Sequence, residues 1–189
     1  LLIGALSGSW LIGGIIPTLV YYGLELLNVN YFLIATCIIT AIVSLSIGSS
    51  WSTIATIGIA LLAIGKVLAV PAEITAGAII SGSYFGDKMS PLSDTTNLAS
   101  AITQSDIFDH IKYMSYTTIP SFVITLVIFF IIGLNYENSS LEDLSNIQQT
   151  LDKTFNINQL ILFTPLLVVF LIIKKIPDVD SLFFAVLLG

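Results

Sequence analysis

Eleven consecutive residues carry most of the polar chemistry of a very apolar chain. The stretch from Asp87 to Asn97 contains two carboxylates, four hydroxyls and an amide, with Pro91 in its middle. Oxygen donors suit hard cations such as Na⁺, Mg²⁺ or Ca²⁺, whereas the His and Cys ligands that suit zinc and copper are missing from the stretch. Its composition therefore favours a cation site.

The two carboxylates predict competition between protons and cations. Away from water the ionised form of a carboxylate is unfavourable unless it is paired, and a second carboxylate nearby disfavours it further. Asp87 and Asp94 would therefore hold either protons or a cation. A site that does so, and faces alternate sides of a membrane, couples two ion flows without a covalent step.

Pro91 predicts how the backbone takes part. Proline offers no N–H to the carbonyl of Asp87 four residues earlier, so a helix that ends here would leave that carbonyl free to face an ion. The C-terminal end of this half-helix would direct its partial negative charge at the same place. The alternative is an ordinary surface loop, with Ser90-Pro91 as a turn and Asp94 as a helix cap.

The rest of the chain favours the bilayer as its solvent. Hydrophobic residues make up 56% of the 189 residues and charged residues 10%, against roughly a quarter charged in a soluble domain. Twelve acidic residues against six Lys argue against nucleic acid as a partner. The composition therefore predicts an all-α, polytopic transmembrane protein.

Uncharged runs close to the 20 or so residues that a bilayer requires divide the chain into spans. They predict spans at roughly 1–27, 31–47, 54–70, 114–135 and 157–173, with the start of another at 181. Residues 137–153 are predicted to form an amphipathic loop outside the membrane. The chain begins without Met and stops inside an apolar run, so we interpret it as a fragment of one transmembrane domain.

The segment 72–104 is predicted to be a broken, discontinuous span. Pro71 and Glu73 mark a helix start, and the apolar run from Ile74 to Phe85 covers only about 18 Å before the next charged residue. If the segment enters from one surface, the polar stretch falls inside the membrane, as in transporters built from broken helices. The interruption between Gly48 and Thr53 fits either a surface turn or a break at depth.

Two motifs resemble the signatures of the NhaC family of Na⁺/H⁺ antiporters. One is GAIISGSYFGDKMSPLSDTTN, residues 77–97, and the other is GSSWSTIATIGIAL, residues 48–61. Residues 21–24 and 116–120 fit the flanking pattern in the right order, so the resemblance covers residues 1–134 well.

The resemblance implies a secondary transporter rather than an enzyme, built from inverted repeats in a bacterial or archaeal plasma membrane. It would exchange Na⁺ for H⁺ with no other cofactor, and the remaining C-terminal half would supply a second polar break; a homo-oligomer is left open. The site residues that it implies are Asp87, Ser90, Ser93, Asp94, Thr95, Thr96 and Asn97, faced by Ser49, Ser50 and Thr53. Asp94 would be the main carboxylate that Na⁺ and H⁺ share, and Asp87 would be the second acid.

Three other functions stay open. The family includes exchangers that couple Na⁺ and protons to malate and lactate, and no residue here separates the two functions. An intramembrane aspartyl protease would carry its acids on separate spans, whereas these acids are seven residues apart. The third function is that of a non-transporting membrane subunit. Separately, the hydroxyls between Ser49 and Thr56 also fit ordinary helix packing.

Overall fold

The computed structural model describes residues 2–26, 29–136, 141–174 and 178–188. All regular secondary structure in these ranges is helical, which confirms the predicted all-α class. In chain order the helices are α1 Leu2–Ile12, α2 Ile15–Leu26, α3 Val29–Ile47, α4 Ser50–Val67, α5 Ala72–Met89, α6 Asp94–Ile102, α7 Ile107–Leu134, α8 Leu141–Thr154, α9 Phe163–Ile173 and α10 Asp178–Leu187. Among the described residues α3, α4 and α7 are long and apolar enough to cross a membrane.

The segment predicted as one span at 1–27 is divided into α1 and α2. Gly13 and Gly14 separate the two helices, and Gly14 has a φ of 84°, in the left-handed region that residues with a side chain rarely adopt. Trp10 ties α1 to the other end of the described chain, because its indole N–H donates to the carbonyl of Ala185 at 3.0 Å.

Helix α4 begins four residues earlier than the predicted 54. Ser49 is its N-cap, and the Ser49 side chain accepts the backbone N–H of Ser52 at 3.3 Å, which satisfies one donor of the first turn. A π-helical turn at Ile54–Gly58 follows, and the helix ends at Val67 rather than at 70.

The C-terminal elements also have shifted boundaries. The span predicted at 157–173 consists of a 3-10 turn, Gln159–Leu162, followed by α9, and α10 begins three residues before the predicted 181. The predicted loop at 137–153 contains all but the last residue of α8, while residues 137–140 lie outside the described part of the chain.

Helices α3 and α5 run in parallel with their backbones in direct contact. Gly82 and Gly86, one turn apart on α5, permit this approach: a Cβ on Gly82 would overlap the carbonyl of Cys37, and one on Gly86 would overlap the carbonyl of Ala41. Small residues four positions apart are the usual means of close packing between membrane helices. The contact therefore fixes the register of α5 on α3.

Helices α3 and α4 form an antiparallel hairpin whose tip is Gly48–Ser50. Helix α4 returns alongside α5, since Gly58 lies against Ile79 and Gly65 lies against Thr75. The hairpin tip therefore lies beside the C-terminal end of α5, where the four residues Ser90–Ser93 separate α5 from α6. We call these four residues the break.

Helix α7 runs antiparallel to the broken segment. The rings of Phe85 and Phe122 stack with centroids 3.9 Å apart, and Gly77 lies against the ring of Phe129. At 28 residues α7 is about 42 Å long, which exceeds the ~30 Å of hydrocarbon in a bilayer. The two half-helices α5 and α6 both contact this full-length neighbour.

These contacts indicate the depth of the break. Followed along the two helices, they place Asp87 near the level of Pro120. The uncharged part of α7 begins at Tyr113, so Asp87 lies about 10 Å inside that end of it. Asp87 therefore lies beside the middle of α7, which runs from Ile107 to Leu134.

The close contact between α3 and α5 can be tested with two glycines of the same helix. Gly86→Ala should lower the free energy of unfolding by about 1–3 kcal/mol, because its Cβ has no room beside α3. Gly77→Ala should be neutral or slightly stabilising, since its Cβ meets only Phe129 at 3.9 Å. Apparent melting temperatures in detergent compare the two, and equal values would contradict the proposed packing.

Candidate functional site

The hairpin tip and the end of α5 meet at a carboxylate. Asp87 is 9% exposed, and its Oδ2 accepts a hydrogen bond from the Ser50 hydroxyl at 3.0 Å. One residue beyond α5, the Ser90 hydroxyl donates to the carbonyl of Leu45 on α3 at 2.8 Å. These two bonds join residues that are 37 and 45 positions apart in the chain. They make the tip and the break a single polar junction.

The tip fits the break because Gly48 has no side chain. Its φ of 77° lies in the left-handed region, and a Cβ there would come within 2.6 Å of the backbone carbonyl carbon of Leu92. The backbone of the tip therefore contacts the backbone of the break directly.

The predicted free carbonyl at Asp87 is wrong. Pro91 has no N–H to offer it, but the preceding residue supplies one: the Ser90 N–H donates to the Asp87 carbonyl at 3.2 Å. The helix tightens at its last turn instead of leaving the group unpaired. The chemistry of the junction therefore lies in the Asp87 side chain rather than in its carbonyl.

The other predicted acid has different surroundings. Asp94 is the first residue of α6 and is exposed, as are Thr95 and Asn97. A negative charge there is favoured by the positive end of the α6 dipole. The structure thus places one acid inside the tip and break junction and leaves the other on an open face of α6.

Several predicted ligands in the break and in the first turn of α6 also bond to the backbone or to one another. The Asn97 amide donates to the carbonyls of Pro91 and Ser93, at 2.8 and 2.7 Å. The hydroxyls of Ser93 and Thr95 are 2.9 Å apart, and the Thr96 hydroxyl donates to the carbonyl of Lys88 at 3.3 Å. These bonds hold the shape of the break.

The predicted facing group on α4 is only partly directed at the carboxylate. Ser50 bonds to Asp87, whereas the hydroxyls of Ser49 and Ser52 are 3.1 Å apart and the Thr53 hydroxyl donates to the Ser49 carbonyl at 2.9 Å. Within the described residues no three His, Cys, Asp or Glu side chains lie together. A cation here would therefore be held by one carboxylate and neutral oxygens.

Sequence reasoning missed residues that position the site without providing a charge. Ser44 donates to the carbonyl of Ser83 at 2.6 Å, and Gly48 and Leu92 form the contact between tip and break. The spacing of Gly82 and Gly86 was a visible signal for a close helix contact, but it did not say which helix would be the partner.

Comparison with known proteins shows which family the chain belongs to. The family model described as the Na⁺/H⁺ antiporter family matches residues 82–189, which include part of α5, the break and α6. The chain belongs to this family.

Curated relatives of this antiporter-family chain share its sequence throughout. It is 44% identical over 189 residues to a malate-2H⁺/Na⁺-lactate antiporter of Bacillus subtilis strain 168, covering 99% of this chain and 40% of the relative. It is 43% identical over 188 residues to the Na⁺/H⁺ antiporter NhaC of Alkalihalophilus pseudofirmus, covering 100% of this chain and 41% of the relative.

A third relative is the arginine/ornithine antiporter ArcD of Halobacterium salinarum, 42% identical over 182 residues, covering 94% of this chain and 37% of that protein. The chain thus spans about two fifths of the length of these relatives. No solved structure matches it.

The fit between tip and break can be tested with two glycines that share a left-handed φ. Gly48→Ala and Gly14→Ala should each add backbone strain of about 1–2 kcal/mol. Only Gly48→Ala also collides with Leu92, since nothing lies within 4 Å of a Cβ at Gly14. We therefore expect Gly48→Ala to lower the apparent melting temperature of the full-length protein in detergent further than Gly14→Ala does. Equal effects of the two variants would show that the junction tolerates a side chain at the tip.

Proposed function

We propose that the chain forms part of a secondary transporter that exchanges Na⁺ for H⁺, with Asp87 as the carboxylate for which the two ions compete. The transporter would be a multi-pass protein of a bacterial or archaeal plasma membrane. The rest of the longer protein would complete it.

The burial of Asp87 at the junction is the observation that carries this proposal. The carboxylate lies about 10 Å inside the uncharged part of α7, and its hydrogen-bond partner is a neutral hydroxyl, Ser50. An ionised carboxylate in such a place is unfavourable unless something neutralises it. A proton or a monovalent cation each supplies the one positive charge required.

Exchange follows from the fact that these two ions cannot be bound together. A protonated carboxyl is neutral and no longer attracts a cation, whereas a bound cation favours the ionised form, so each ion displaces the other. The hydroxyl of Ser50 suits both states, because a hydroxyl can donate to the carboxylate or turn its lone pairs to a cation. Ser90 holds the break against Leu45 and so keeps the carboxylate in place.

Asp94 is the second acid in the proposal. It is exposed on α6, at about the depth of the break, where an uncovered carboxylate would face lipid. We infer that another part of the full-length transporter covers it and that it contributes to ion binding from that side. The order of the two acids expected from the sequence is therefore reversed, since Asp87 becomes the main shared carboxylate and Asp94 the second acid.

The carboxylate assignment predicts unequal effects of two charge removals. In the full-length protein Asp87→Asn should abolish Na⁺-driven proton movement in everted membrane vesicles, because an amide can neither release a proton nor neutralise Na⁺. Asp94→Asn should raise the apparent KM for Na⁺ by about tenfold, equivalent to about 1.4 kcal/mol.

Asp109→Asn is the matched control, since Asp109 is an exposed acid in the first turn of α7. It should leave exchange unchanged. Wild-type exchange rates in Asp87→Asn would refute the assignment of the shared carboxylate.

The malate and lactate exchanger is the second candidate, and the similarity to the Bacillus subtilis relative supports it. Both functions use one Na⁺ and proton site and differ in whether an organic acid is carried as well. Proton movement in vesicles that are loaded with lactate and placed in a malate solution distinguishes the two functions. Proton movement that requires both malate and lactate would favour the exchanger. Proton movement with Na⁺ alone would favour the simple antiporter.

A further inference from the structure

A second polar side chain lies one helical turn from Asp87. Ser83 is 0% exposed, and its hydroxyl has no hydrogen-bond partner among the described residues. Residues four positions apart share one face of a helix, so Ser83 and Asp87 are neighbours on α5. The carbonyl of Ser83 accepts the Ser44 hydroxyl at 2.6 Å, which fixes this turn of α5 against α3.

The hydroxyl of Ser83 lacks the hydrogen bond that most buried hydroxyls in these helices make, and among the described residues Thr18 and Thr36 also lack one. A serine or threonine in a membrane helix ordinarily donates to the carbonyl one turn earlier. Ser81 does so to Gly77 at 2.7 Å, Thr56 to Ser52 at 2.7 Å, and Thr40 to Thr36 at 2.8 Å. Buried hydroxyls without any partner are rare, and an unseen ligand is one of the recognised reasons for them.

We propose that Ser83 is a ligand of the transported cation, completing with Asp87 and Ser50 a three-sided set of oxygens at the α4 and α5 contact. This inference rests on the proposed function. A hydroxyl oxygen is a suitable neutral ligand for a hard cation, and Ser83 provides one from the side opposite the break. Its lone pairs remain available because none of them accepts a hydrogen bond from the described residues.

The surroundings of Ser83 limit the class of ion. Ser83 is 0% exposed, so the space around its hydroxyl is enclosed by packed atoms. An organic ammonium ion would need room for its carbon atoms in that space. A small alkali cation stripped of most of its water, Na⁺ or Li⁺, needs none. The set therefore selects small cations.

Removing this hydroxyl should weaken cation binding without stopping transport. In the full-length protein we expect Ser83→Ala to raise the apparent KM for Na⁺ and for Li⁺ by about fivefold to tenfold, the usual effect of one lost polar contact. The maximal rate should stay within about twofold. Na⁺-dependent proton movement in everted vesicles measures both quantities.

Ser81→Ala is the matched control, because it removes the same hydroxyl two residues away on another face of α5, where it bonds to Gly77. It should leave the KM for Na⁺ unchanged. Thr36→Val removes a second buried hydroxyl without a partner, on α3 and two turns before Ser44, and should also leave the KM unchanged. An equal rise in KM in all three variants would assign the effect to packing and overturn the proposal.

A direct measurement of Na⁺ binding separates an effect on binding from an effect on transport rate. Purified wild-type protein should show a higher melting temperature as Na⁺ replaces choline, and Ser83→Ala should need about fivefold more Na⁺ for the same increase. An unchanged Na⁺ dependence in Ser83→Ala, with exchange abolished in Asp87→Asn, would refute the role of Ser83 and leave the proposed function intact. If the wild-type protein showed neither Na⁺ exchange nor stabilisation by Na⁺, both the role of Ser83 and the proposed function would be refuted.

Discussion

The direct contact between the backbones of α3 and α5 determines where the polar groups of the junction lie. Gly82 and Gly86 allow the two helices to meet without intervening side chains, so their register has little freedom. In that register the Ser90 hydroxyl reaches the carbonyl of Leu45, and Asp87 faces the hairpin tip. A shift of one residue would turn Asp87 by about 100° and remove it from the junction.

A membrane surrounding would account for much of the polar composition of the break. Where a helix breaks inside hydrocarbon, no water is at hand to satisfy its backbone groups, so the protein must supply partners. The Asn97 amide and the Ser90 hydroxyl do this for the break, since they bond to the Pro91 carbonyl and the Leu92 N–H. These side chains therefore have a structural role whether or not an ion binds. Asp87 is different, because its side chain bonds to the Ser50 hydroxyl and not to a backbone group of the break.

The sequence predicts the features that depend on local patterns, but not those that depend on contacts between helices distant in the chain. Hydropathy and run length predicted the all-α membrane class, and Pro71 with the short apolar run after it predicted the start of the broken segment. Local patterns did not reveal that Gly14 would separate two helices, nor that a 3-10 bond from Ser90 would satisfy the Asp87 carbonyl. Nor did spacing show that one acid is buried and the other exposed, because burial depends on helices distant in the chain.

The burial of a single acid bears on how the proposed exchange avoids a leak. With either a proton or Na⁺ bound, Asp87 and its ligand are together neutral, and a neutral site can change its exposure at modest electrostatic cost. The empty site carries a bare charge, and moving that charge through a region of low dielectric is far less favourable. The loaded forms can therefore move, while the empty form is held until the next ion binds. Neutral ligands such as Ser50 preserve this balance, because they add no charge to the site in any of its states.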